Sequence, residues 1–155
     1  MLPQAYLTER QLEIWRLRFK GLSKAEVGRR LGITRQAVYD AEKYTLEKVE
    51  SALRHIADAS RIEVHYLDPS KGVLLGFDPS TSNRVIVTFS ARNGVQTWHY
   101  EQPDCSACGW KDRCRRRLID EAEERDVQLS SEERELLPSK LAHTIFSKII
   151  PGLTP

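Results

Sequence analysis

The sequence has little that would staple it, carry it across a membrane or keep it unfolded. It holds three cysteines, an odd number clustered within ten positions, which excludes the disulfide framework of small secreted domains. No apolar run approaches the roughly 20 residues of a membrane span, and the start, MLPQAYLTER, lacks the basic opening and apolar core of a signal peptide. Eight glycines and seven prolines are too few for a low-complexity chain, and the charges almost cancel at +2. Also missing are a phosphate-binding glycine loop, a nucleophile–base arrangement and paired catalytic carboxylates with a partner lysine, so the expectation is not an enzyme. What is left reads as a soluble, cytoplasmic chain of 155 residues, long enough for one ordinary domain or two small ones.

The charge that is present is unevenly placed. Residues 1–57 carry 11 Lys/Arg against 7 Asp/Glu, and the remainder 13 against 15. A basic first part suits contact with nucleic acid at one end of the molecule.

That basic part reads as three short helices. Thr8 precedes Gln11 by three, and Ser23 precedes Glu26 by three, which is capping-box spacing. Gly21 and Gly32 stand where the first two helices must stop, because glycine enters the left-handed conformation freely. Thr34 caps a third helix opening on Arg35-Gln36-Ala37-Val38. Helix, tight glycine turn, helix is the helix-turn-helix, whose second member lies in the DNA major groove.

Leu7-Thr8-Glu9-Arg10-Gln11, Leu17-Arg18, Gly21-Leu22-Ser23, Glu26-Val27 and Leu31 to Val38 resemble the DNA-binding half of Tfx-type archaeal transcription regulators. They are similar, more loosely, to LuxR-type and sigma-factor region 4 domains. The resemblance covers the first third of the chain and implies sequence-specific binding of double-stranded DNA. Leu12 and Trp15 fall on one side of the first helix as core. Lys24, Arg29 and Arg30 point outward toward the phosphate backbone, where contacts raise affinity without reading sequence. The caps Ser23 and Thr34 open the two helices of the motif and are counted in the interface. On the third helix Arg35, Gln36, Tyr39, Asp40 and Lys43 form the exposed reading side, with Ala37, Val38 and Ala41 inward. Arginine can bond guanine twice and glutamine can pair with adenine.

No glycine or proline interrupts Thr34 to Asp58, so the third helix is expected to run on. Leu46, Val49, Leu53 and Ile56 make an apolar seam along it. The seam could pack on the chain's own second half or pair with a second copy. A homodimer on a near-palindromic operator is the favoured expectation, since helix-turn-helix proteins bind as two-fold dimers.

Past Ser60 the period changes. Arg61–Leu67, Val73–Phe77, Arg84–Ser90 and Val95–Tyr100 are rich in Val, Ile, Tyr, Phe and Thr, and turn-forming stretches separate them. Asn93-Gly94 signals a hairpin, because both residues accept positive φ. The expected fold is α+β: a helix-turn-helix domain over residues 1–57, then an α+β domain over 58–155 with a small antiparallel sheet and C-terminal helices. Ser130-Ser131 starts a short acidic helix, Pro138 suits the first turn of the last one, and Leu141, Ala142, Ile145, Phe146, Ile149 and Ile150 form its apolar stripe.

The cysteines fall as Cys105-x2-Cys108-x5-Cys114, a cluster that in a reducing compartment indicates a metal site or a redox switch. This spacing resembles part of the [4Fe–4S] motifs of endonuclease III-type glycosylases, WhiB-like regulators and CRISPR-associated RecB-type nucleases. Those families add a fourth cysteine upstream, which this chain lacks. His99 stands near that place, with Asp104 as a second candidate. Thiolates with one imidazole suit an iron–sulfur cluster or a Cys₃His zinc; the third reading is reduced thiols or a Cys105–Cys108 redox pair. The expectation is a DNA-binding transcription regulator with a metal- or redox-sensing second part; the alternative is a nucleic-acid processing enzyme or accessory factor.

Overall fold

The computed structural model describes residues 7–101 and 104–153. Met1–Tyr6, within the stretch read above against a signal peptide, lie outside the described residues. Each of the first three helices begins where a hydroxyl caps it. Thr8 Oγ1 accepts from Gln11 N at 3.2 Å and Gln11 Oε1 from Thr8 N at 3.0 Å, opening α1 (Glu9–Phe19). Ser23 accepts from Glu26 N to open α2 (Lys24–Leu31), and Thr34 from Ala37 N to open α3 (Arg35–Ala59). Helix α2 ends on Gly32 at φ 69°. Gly28 lets α2 meet the turn after it, since a Cβ there would stand 2.7 Å from the Ile33 carbonyl oxygen. Ile14, Val27 and Val38, all fully buried, hold the three helices together.

Four antiparallel strands follow in sequence order: β1 (Glu63–Asp68), β2 (Val73–Asp78), β3 (Asn83–Ser90) and β4 (Gly94–His99). The first two turns use one device. Asp68 Oδ1 accepts from Ser70 N at 3.0 Å, Asp78 Oδ1 accepts from Ser80 N at 2.9 Å, and the fourth loop residue (Gly72, Ser82) has positive φ. These are Asx-turns, in which the side chain imitates a backbone turn. The Asn93-Gly94 hairpin forms, but not as expected. Gly94 alone of the pair has positive φ, 68°. The loop is three residues, 91–93, closed by the Ser90–Gly94 pair.

Helices then cover both sheet faces. On one lie α1 and α3: Leu12, Trp15, Val49 and Leu53 pack on Leu74, Val85, Val87 and Phe89. On the other lie α4 (Lys111–Glu124) and α6 (Pro138–Ser147), with the short α5 (Ser131–Arg134) between them in sequence. There Leu118, Leu141, Ile145 and Phe146 pack on Val73, Leu75, Ile86 and Trp98. Residues 73, 75 and 86 against 74, 85 and 87 show the two-residue alternation of a pleated sheet. The α3 seam therefore meets its own sheet: Val49 and Leu53 are fully buried within one chain. At about 1.5–3 kcal/mol for each such side chain, this packing decides between the two readings of the seam. It also runs one core across the boundary expected at residue 57.

A buried polar chain crosses the second face. Trp98 Nε1 donates to Thr88 Oγ1 at 3.0 Å, and Thr88 Oγ1 donates to Glu121 Oε1 at 2.9 Å. Arg125 pairs with Glu121 and donates to the carbonyls of Lys71, Gly72 and Phe89 at 2.9, 3.1 and 2.7 Å. A charge so deeply buried is tolerated because nearly every donor it has meets an acceptor.

Candidate nucleic-acid interface

Thr34 starts α3 at a fixed place, and the 3.6-residue period then sorts its side chains. Val38 is fully buried and Ala41 half-buried in the three-helix core. Arg35, Gln36, Tyr39, Asp40 and Lys43 are all exposed, as the spacing predicts. Ala37, expected inward, is exposed instead, because it lies a full 100° around the helix from Val38. Ser23, Thr34, Arg29 and Arg30 are exposed. Lys24 is half-buried, its ammonium 4.8 Å from the centre of the Tyr39 ring. Gln36 Nε2 donates to Asp40 Oδ1 at 3.1 Å. That bond holds the glutamine along the helix.

The exposed side of α3 is braced from behind. Arg18 at the end of α1 forms a 3.0 Å ion pair with Glu42 on α3 and donates to the Leu22 carbonyl at 2.8 Å. Both side chains are largely covered, so the pair is less screened than a surface pair. Tyr44, 60% exposed, adds an aromatic edge that was not expected from the spacing. Its signal was available: it follows Asp40 by four residues, one helical turn.

The cysteine region is organised differently from expectation. Cys105 is buried, Cys108 exposed and Cys114 half-buried, and none is in a disulfide. Cys108 N donates to the Cys105 carbonyl at 3.2 Å, closing a turn, and Trp110 N donates to Cys108 Sγ at 3.4 Å. Burial pushes the Cys114 thiol above the ordinary range, with the charges of Cys108 and Cys105 acting in the same direction and Arg117 and Arg113 opposing. The three thiols are thus close enough to feel one another. His99 does not join them. It pairs in register with Val85, so it leaves the sheet on the α1–α3 face, whereas Cys114, on α4, packs against the core of the other face. Strand alternation is the reason. Asp104 is also committed elsewhere: its carboxylate accepts from Ser106 N at 2.9 Å, and hydrogen bonding from the Ser106 hydroxyl first, then from its backbone, holds its pKa below the usual range. Among the described residues no group of three or more His, Cys, Asp or Glu side chains is placed to hold a metal ion. The described residues thus establish neither an iron–sulfur nor a zinc site.

No helix among the described residues is long and apolar enough to cross a membrane. Compared with known proteins, the chain matches no family model, no curated protein and no solved structure.

Proposed function

We propose that this chain is a sequence-specific DNA-binding transcription regulator that reads the major groove with the first two turns of α3. One observation carries the reading. A capped helix presents Arg35, Gln36, Tyr39, Asp40 and Lys43 together on its open side, while Val38 and Ala41 anchor the opposite side. Arginine and glutamine at adjacent positions supply the donors that direct base readout uses, and Lys24, Arg29 and Arg30 supply phosphate contact.

Two copies on a near-palindromic operator belong to the same proposal. Because the apolar seam of α3 is occupied by the sheet, the second copy has to meet another surface. Light scattering of the protein with and without its operator measures the stoichiometry.

Selection of a bound sequence from random duplexes tests the reading. A recovered motif that weakens on Arg35→Ala and Gln36→Ala supports it. Binding with no sequence preference, or a motif indifferent to both substitutions, rejects it.

A further inference from the structure

Between α1, the β1–β2 turn and the C-terminal helices the surface opens into a cleft of about 600 Å³. That lies within the range of small-molecule sites, which favour junctions between parts of a chain. Arg18 and Phe19 come from the end of α1, Lys71 from the turn, Val127 from after α4, and Lys148 and Ile149 from the end of α6.

The apolar side is preset. Phe19 is held edge-on by Trp15, with ring centres 4.7 Å apart, and the Arg125 guanidinium lies 5.6 Å from its ring. Val127 and Ile149 are half-buried, packed against the sheet core beneath. The cations are preset as well. Lys71 Nζ donates to the Ile149 carbonyl at 3.0 Å. Lys148 Nζ donates to the Gln128 carbonyl at 3.1 Å and to Glu133 at 3.2 Å. An ammonium has three protons, so each anchored lysine retains a donor for a further acceptor. The acid in the lining, Asp126, already accepts from Gln128 Nε2 at 3.2 Å.

We propose that this cleft binds a small organic carboxylate with an aromatic or aliphatic body. The body lies against Phe19, Val127 and Ile149, and the carboxylate meets Lys71 and Lys148. A second cavity of about 230 Å³ shares Arg18 and Phe19 and extends to Trp15 and Glu42. A ligand in the cleft therefore bears on the ion pair that braces α3. An effect on DNA affinity follows from this and rests on the reading proposed above; ligand binding itself does not.

The test uses the full chain with 1-naphthoate, decanoate and neutral 1-naphthalenemethanol, read by ligand-observed NMR and thermal unfolding. Saturable binding of at least one acid is expected, with 1-naphthoate favoured about tenfold or more over the alcohol, as a charged contact of about 1.4 kcal/mol gives. Val127→Trp, which fills the cleft, removes the binding, and Lys71→Gln with Lys148→Gln removes the preference for charge. In the wild-type chain, shifts of labelled backbone amides on adding 1-naphthoate locate the site even if a variant does not fold. Neither acid binding, equal binding of the alcohol, or amide shifts away from these residues overturns the proposal. Gel shifts with and without 1-naphthoate read the coupling separately. Bound ligand with unchanged DNA affinity rejects the coupling, while unselective DNA binding rejects the regulator reading and leaves the ligand result standing.

Discussion

The Trp15 indole N–H on α1 donates to the Glu124 carboxylate on α4 at 3.3 Å, across 109 positions of sequence. The same carboxylate closes the β3–β4 turn, accepting from Ala91 N at 2.7 Å and Arg92 N at 3.1 Å. One residue further on, Arg125 reaches under the Phe19 ring. Two consecutive residues at the end of α4 thus clamp the first of the three N-terminal helices onto the sheet.

Glu124→Ala strips the acceptor from three donors at once. Unpartnered part-buried donors cost about 1–3 kcal/mol, so the variant is expected to lose about that much stability. Urea unfolding followed by tryptophan fluorescence measures it. A loss below about 0.5 kcal/mol, the usual ceiling for a neutral surface change, would falsify the clamp.

Arg125→Met leaves Glu121 buried and the carbonyls of Lys71, Gly72 and Phe89 without their donor. Breaking a buried pair on one side costs about 3–5 kcal/mol. The double variant Glu121→Leu with Arg125→Met removes the uncompensated charge and should recover part of that loss. Equal thermal shifts for single and double variants would show that the pair itself is not what matters.

Gly72 sits where the β1–β2 turn, β3 and α1 converge. Its φ is +64°, and an added Cβ would collide with the Phe89 carbonyl oxygen and stand 3.2 Å from the Trp15 ring. A left-handed residue with a side chain costs about 1–2 kcal/mol before any collision. Gly72→Ala should therefore lower the unfolding temperature by several degrees, as scanning calorimetry reads. An unchanged midpoint would contradict this packing.

On the DNA-reading proposal, Arg35→Ala and Gln36→Ala are each expected to weaken the selected operator by about 1–3 kcal/mol while leaving scrambled DNA little changed. Lys24→Ala, Arg29→Ala and Arg30→Ala should weaken all sequences alike. Removing one lysine or arginine from a phosphate reduces the slope of log affinity against log salt by about 1. Anisotropy titrations at several salt concentrations separate the two groups.

Alkylation by iodoacetamide, mapped by mass spectrometry, is expected to be fastest at exposed Cys108. Cys114 should lag at neutral pH and gain as pH rises through its raised value, because the thiolate is the nucleophile. The fold favours the neutral thiol of Cys114, so its contribution to stability is complete below the ordinary thiol range. That contribution is lost as pH climbs from there through the raised folded value. Cys114→Ser should flatten that alkaline part of the stability curve. Equal alkylation of Cys108 and Cys114 at neutral pH would refute the ordering.

Much of the fold was legible because its signals are short-range. Thr8, Ser23, Thr34 and Ser130 each act on the amide three residues ahead, and Asp68 and Asp78 two ahead, so their helices and turns stand where the spacing puts them. The four strands and the α+β class followed from runs rich in β-branched and aromatic residues between turn-forming stretches. The outward side of α3 was legible as an exposed face, since Val38 fixes its phase. The conformation of Asn93 was not legible, because a dipeptide signal cannot tell a two-residue loop from a three-residue one. His99 is near Cys105 along the chain, and distance along a strand does not reveal the face from which a side chain leaves.

The sequence by itself thus determined the elements and their ends, because caps, turns and periods are interactions over two to four residues. Only the tertiary structure decided which faces meet. It placed the α3 seam on its own sheet, set His99 and Cys114 on opposite faces, and buried Glu121 and Arg125 as a pair between α4 and the strands. The physical reason is that a sheet with two apolar faces must be covered twice. Which helix covers which face depends on how the whole core fills and on whether every buried charge finds a partner.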